Sequence, residues 1–125
     1  MGGVAVLRPI PGRILQSTAL VEVCRAVDRY HNPVYDEYTV KRVHFQPTNE
    51  VRKSLQDTDL TLSGLLFVDA RISNPALDWM ALFQAANEAG GDMKVTVRDH
   101  TYTVKAVDAL RDDTDKLHHW EVGLI

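Results

Sequence analysis

Two-residue alternation is the feature that most limits what this chain can become. Met93, Val95 and Val97 alternate with Lys94 and Thr96, and Asp99-His100 reads as a tight turn. Tyr102, Val104 and Ala106 then alternate with Thr101, Thr103 and Lys105. Side chains on a strand point to opposite faces in turn, so this spacing builds one buried face and predicts a β-hairpin. The same period runs from Ser17 to Val27, where Ala19, Val21 and Val23 share a face. It returns over residues 36–46, where Tyr38 and Val40 have one parity and Val43 and Phe45 the other. That change of parity predicts a bulge near Arg42. Residues 60–70 form an apolar central strand, and residues 117–125 close the chain with Trp120, Val122 and Leu124 on one face. Helical spacing dominates in one place, residues 78–89, through Trp79, Leu82, Phe83 and Ala86. Asn74 or Asp78 can cap that helix, and Gly90-Gly91 ends it.

Six strands and one short helix in 125 residues predict a single mainly β domain, a small six-stranded antiparallel barrel. Its predicted extent is residues 17–125. Residues 1–16 lack a period and hold Gly2, Gly3, Pro9, Pro11 and Gly12, so they read as an extended arm. Between the second and third strands lies a long polar stretch, residues 47–59, with Glu50, Arg52, Lys53, Asp57 and Asp59. Its aliphatic residues are Val51 and Leu55, and it reads as an exposed loop. Compact domains rarely keep structureless loops beyond about 12 residues unless the loop has a task.

Composition narrows the function by exclusion. Hydrophobic residues make up 45% and charged residues 25%, enough for one core. No apolar run approaches the roughly 20 residues of a membrane span, and the start lacks a signal-peptide core, so a soluble, unprocessed protein is expected. The net charge of −3 and a pI near 5.9 speak against a dedicated nucleic-acid-binding module. The single cysteine, Cys24, cannot form an internal disulfide and reads as a small buried hydrophobe. His118 and His119 are adjacent, so a strand points them to opposite faces, a poor arrangement for holding one metal. Asp112, Asp113 and Asp115 lack the glycine and distal glutamate of a calcium loop and read as a solvated turn. No phosphate-binding or nucleophile motif occurs, and no carboxylate dyad is embedded in an apolar run. No catalytic residue, metal or cofactor is therefore expected.

The segment Asp112-Asp113, followed by Lys116-Leu117-His118-His119-Trp120, resembles the small minor capsid proteins of tailed phages and prophages of Gram-positive bacteria. The opening, Pro9-Ile10-Pro11 with Arg13-Ile14-Leu15, is similar to that family's start, as is Leu65-Leu66-Phe67-Val68-Asp69 before its Asn-Pro turn. The resemblance implies a head-completion protein of the stopper type. Such a protein forms a homo-oligomeric ring below the portal and adaptor, closes the DNA channel after packaging and docks the tail. It would sit at the virion neck, pass through the bacterial cytoplasm during assembly, come close to DNA and need no membrane. Isolated copies can stay monomeric because the portal supplies the template. By the same resemblance, the loop with Glu50, Arg52, Lys53, Asp57 and Asp59 faces the channel or a neighbouring subunit. The arm with Arg8, Pro9, Ile10 and Pro11 is a second interface candidate. Rival readings are another neck ring protein, either a tail terminator, which would mix sheet and helix, or an adaptor, which would be mainly helical, a small ligand-binding barrel with a polar pocket, and a nucleic-acid-binding barrel with a basic face.

Overall fold

The computed structural model describes residues 15–53 and 57–125. The arm residues Arg8, Pro9, Ile10 and Pro11 lie outside them. The described chain forms β1 (Ser17–Val27), β2 (Pro33–Pro47), β3 (Val51–Lys53), β4 (Asp59–Thr61), β5 (Gly64–Asp69), α1 (Trp79–Glu88), β6 (Met93–Val97), β7 (His100–Arg111) and β8 (Leu117–Leu124). Six strands pair antiparallel in the order β1-β2-β5-β8-β7-β6, and the ring closes because β1 pairs with β6. The expected mainly β, six-stranded barrel with one helix is therefore the observed fold.

The barrel closes because apolar side chains recur every second residue on each strand. Ala19, Val21 and Val23 from β1 meet Val40, Val43 and Phe45 from β2, and Leu66 and Val68 from β5. Val95 and Val97 from β6, Val104 and Val107 from β7, and Trp120, Val122 and Leu124 from β8 complete the interior. Helix α1 packs Trp79, Phe83 and Ala86 against this core. Asp78, not Asn74, caps the helix by accepting the Ala81 amide at 3.0 Å. Gly90, at φ 85°, ends it in the left-handed region.

The expected bulge is at Arg42. Ser17 faces Val43 while Thr18 faces Lys41, which leaves Arg42 as the extra residue, with φ 63°. Its carbonyl accepts the Ser73 hydroxyl at 2.5 Å. Two sequence expectations need correction. The β6–β7 turn falls on Arg98-Asp99, one residue early, because Val97 pairs with His100 and both turn residues have positive φ. That is the left-handed pair a two-residue hairpin requires. The polar stretch after β2 is not an irregular loop: β3 and β4 pair antiparallel as a separate two-stranded hairpin.

Gly91 follows the helix at a point of close approach. A Cβ there would lie 2.3 Å from Cys24 Sγ and 2.7 Å from Cys24 Cβ. Cys24 is fully buried and its backbone is fixed in β1, so little can give way. Gly91→Ala should cost about 1–3 kcal/mol in chemical denaturation. Adding Cys24→Ala should recover part of that loss, since it removes the sulfur but leaves the Cβ contact.

Candidate functional site

The β3–β4 hairpin leaves the barrel between its second and third strands and folds back over the outer face of β7 and β8. Its base is apolar. Leu62, buried, lies over Gly123 of β8, where an added Cβ would come within 2.9 Å of Leu62. Leu65, also buried, is the cross-strand partner of Gly123. A residue without a side chain on β8 thus leaves the seat that Leu62 fills.

Further out the attachment is ionic, and Arg52 is its hub. The Arg52 guanidinium donates to Glu50 Oε2 from Nε at 3.1 Å and from Nη2 at 2.9 Å. It also donates to Glu121 Oε1 on β8 at 3.1 Å, and it bonds Asp108 on β7. Glu121 in turn meets His119 Nε2 at 3.0 Å, and His119 Nδ1 lies 2.8 Å from His118 Nδ1. Partial burial opposes the charge on Arg52, but the bonds to Glu50 and Glu121 and the charge of Asp108 outweigh it and raise its pKa. Burial alone would raise the Glu121 pKa; His119 and Arg52 overcome this and hold it below the ordinary carboxylate value. Lys53 and Asp59 pair across the hairpin at 2.8 Å, both well exposed, so that contact adds little. Asp57 is exposed with φ 59°, beside residues 54–56, which lie outside the described residues.

The two histidines alternate in burial as a strand requires, His118 buried and His119 half-buried, yet their rings meet. The cause is a β8 irregularity: Leu110 faces His119 and Arg111 faces Leu117, which leaves His118 as an extra residue. The expectation that adjacency keeps the rings apart is thereby corrected. His119 belongs to a row of rings on the outer face, 6.0 Å from Phe67, which is 5.9 Å from His44. No group of three or more potential metal ligands occurs among the described residues. The acidic turn is self-contained. Asp112 accepts the Thr114 hydroxyl and the amides of Thr114 and Lys116, bonds that lower its pKa, while Asp113 is exposed. Lys116 is exposed and Leu117 packs on the core at the start of β8.

Between the hairpin and α1 lies a cleft of about 390 Å³, lined by Thr58 and Leu60 on one side and Phe83, Asn87 and Met93 among others. It is open to solvent. The barrel interior is occupied by its own side chains.

These features define a packed barrel carrying a charged appendage. The sequence matches the Minor capsid protein family over residues 11–124, and the chain belongs to that family. It is a phage structural protein, a component of the virion. No curated protein and no solved structure matches it. No helix among the described residues is long and apolar enough to cross a membrane.

Replacing Arg52 with Met should loosen the hairpin without unfolding the barrel. The expected cost is about 1 kcal/mol, the scale of a half-exposed ionic cluster. Hydrogen exchange should speed up at 51–53 and 59–61 and stay unchanged in β1. The Glu121 pKa is lower folded than unfolded, so its contribution is complete above the ordinary value and disappears as pH falls through the lowered one. The hairpin should therefore loosen in acid, and Arg52→Met should make stability less dependent on pH in that range.

Proposed function

We propose that this minor capsid protein is a stopper-type component of the neck of a tailed phage of Gram-positive bacteria. Copies form a ring below the portal and adaptor, retain the packaged DNA and present a surface to the tail. The observation that carries this reading is the hairpin itself. A closed barrel needs no appendage to complete its core, yet a polar one is inserted between the second and third barrel strands.

The mechanism is steric. Repetition around a ring turns one hairpin per subunit into a constriction, and a heterologous interface closes the ring. Glu50, Arg52, Lys53, Asp57 and Asp59 carry both signs of charge, which suits exchange of partners between subunits and gives weak hold on phosphate. Within one subunit Arg52 is satisfied by Glu50, Asp108 and Glu121. In a ring, a neighbour's carboxylates can replace Asp108 and Glu121 at similar energy, so the hairpin can swing towards the lumen at little cost. The arm at Arg8, Pro9, Ile10 and Pro11 is the second contact between copies.

The packed interior favours this reading over a ligand-binding barrel. Deleting the gene should give full-length capsids that package DNA and then lose it, with free tails in the lysate, as scored by electron microscopy and nuclease sensitivity. Replacing residues 51–61 by a short Gly-Ser turn should preserve incorporation and still release DNA. Capsids that keep their DNA but carry tails of irregular length would point to a tail terminator instead.

A further inference from the structure

β2 is paired along most of its length on one side and for a third of it on the other. It pairs with β1 from Pro33 to Val43, but with β5 only from Val43 to Pro47. The orientation of the backbone in between follows from its neighbours. Leu20 and Glu22 pair with Thr96 and Lys94 of β6, and the Cys24 amide donates to Asp92 O at 3.0 Å. These β1 residues therefore direct their N–H and C=O groups away from β2. Their cross-strand partners Thr39, Glu37 and Tyr35 must in turn direct theirs away from β1, to the outer edge. Lys41, in phase with them, shows what that edge does when a strand is offered. Its amide donates to Asn74 O at 2.8 Å, and its carbonyl accepts the Asn74 amide at 3.1 Å. Beyond this single rung, Tyr35, Glu37 and Thr39 have no backbone partner on that side among the described residues.

Such an edge invites another strand, and proteins usually guard it. This one carries no proline between Val34 and Lys41, and its charged residues Asp36, Glu37 and Lys41, of which Asp36 shares the face of Val40, are all exposed. Tyr35 is held by its hydroxyl, which donates to Asp92 at 2.7 Å, so the edge is preformed. Glu37 lies directly across from Glu22, a like-charge pair, and has no basic partner among the described residues.

We propose that the outer edge of β2 at Tyr35, Glu37 and Thr39 accepts, as an added strand, residues 6–10 of a neighbouring copy. Three features of the sequence select that occupant. Pro9 and Pro11 are two apart, so on an extended segment both missing amides fall on one side. Val6, Arg8 and Ile10 then offer three complete rungs on the other, matching the three on β2. With Arg8 opposite Glu37, the cation meets the carboxylate that Glu22 repels. The prolines also blunt the far side of the added strand, so pairing stops after one. The donor is a neighbour because of where the chain enters. Leu15 is buried and Ser17 faces Val43 from the β1 side of β2, opposite to the open edge. Arg8 lies seven residues upstream of Leu15, a reach of up to about 25 Å. This inference specifies the arm interface of the proposed ring and rests on that reading for its setting.

The test is disulfide cross-linking in phage particles, in the full-length protein. Paired strand residues lie within disulfide range, and Cys24 is buried and does not compete. Arg8→Cys with Glu37→Cys should yield a ladder of dimers and higher species on a non-reducing gel. Arg8→Cys with Asp113→Cys, an exposed site on the β7–β8 turn, should give none. An internally bridged monomer would overturn donation between copies, and absence of any bridge would overturn the edge itself. As a second measurement, Glu37→Pro removes an amide that bonds nothing among the described residues. It should leave the melting temperature of the purified protein within a few degrees and reduce incorporation into particles at least about tenfold; full incorporation would overturn the proposal. Ladders in particles whose deletion mutants keep their DNA would retire the stopper role and leave the strand pairing intact.

Discussion

The bulge at Arg42 is the constraint on which the rest of the architecture depends. One extra residue lets β2 serve two neighbours in succession, β1 through its first part and β5 through its last, and so turn the corner of the barrel. The left-handed backbone of Arg42 is held by a buried polar knot. The Ser73 hydroxyl donates to the Arg42 carbonyl and also accepts the Asp69 amide at 2.9 Å, while the Asp69 carboxylate accepts the amides of Arg71 and Ile72. The extra residue shifts the side-chain parity of β2, so that Val40 before it and Val43 after it both reach the interior, and it lies where pairing with β1 gives way to pairing with β5.

Forces of different strength divide the molecule between what is fixed and what can be rearranged. Barrel and helix are joined by close-packed apolar side chains, each worth roughly 1.5–3 kcal/mol on burial. Leu62 over Gly123 extends the same kind of contact to the base of the hairpin. Beyond that base the hairpin relies on half-exposed ion pairs, which contribute on the order of 1 kcal/mol or less. The base of the hairpin is therefore held firmly and its tip weakly. That gradient is a physical reason for an appendage to be polar: a hydrophobic one would either collapse permanently onto the barrel or promote aggregation of free subunits.

Legibility of the fold in the sequence tracked the length of each repeating pattern. The bounds of β1 and the terminator of α1 could be read because one period holds from Ala19 to Val23 and over the ten residues of the helix, while the cap was narrowed only to Asn74 or Asp78. The bulge was readable because Val40 and Val43 break parity across it. The β3–β4 hairpin was not, since each strand has three residues and neither face is continuously apolar. Its order comes from Leu62 and from Arg52 reaching Asp108 and Glu121, partners 56 and 69 residues away. No local pattern encodes such contacts. The Arg98-Asp99 turn was misplaced by one residue because arginine seldom signals a positive φ. Of the site, the polarity of Glu50, Arg52, Lys53, Asp57 and Asp59 was visible, but not that Arg52 is bound within its own subunit.

Closed barrels solve the problem of sticky edges by leaving none, which also removes the simplest means of joining copies. This chain departs from complete closure in one short stretch and places a like-charge pair beside it. Glu37 opposite Glu22 weakens the pairing of two identical edges, since both would bring the same carboxylates together. A strand bearing a cation meets no such penalty. Edge-to-edge dimerisation is thus disfavoured relative to a head-to-tail arrangement, in which each copy donates to one neighbour and accepts from the other. Only the second arrangement closes into a ring of more than two, so a single negative residue at an open edge can bias both the partner and the symmetry of the assembly.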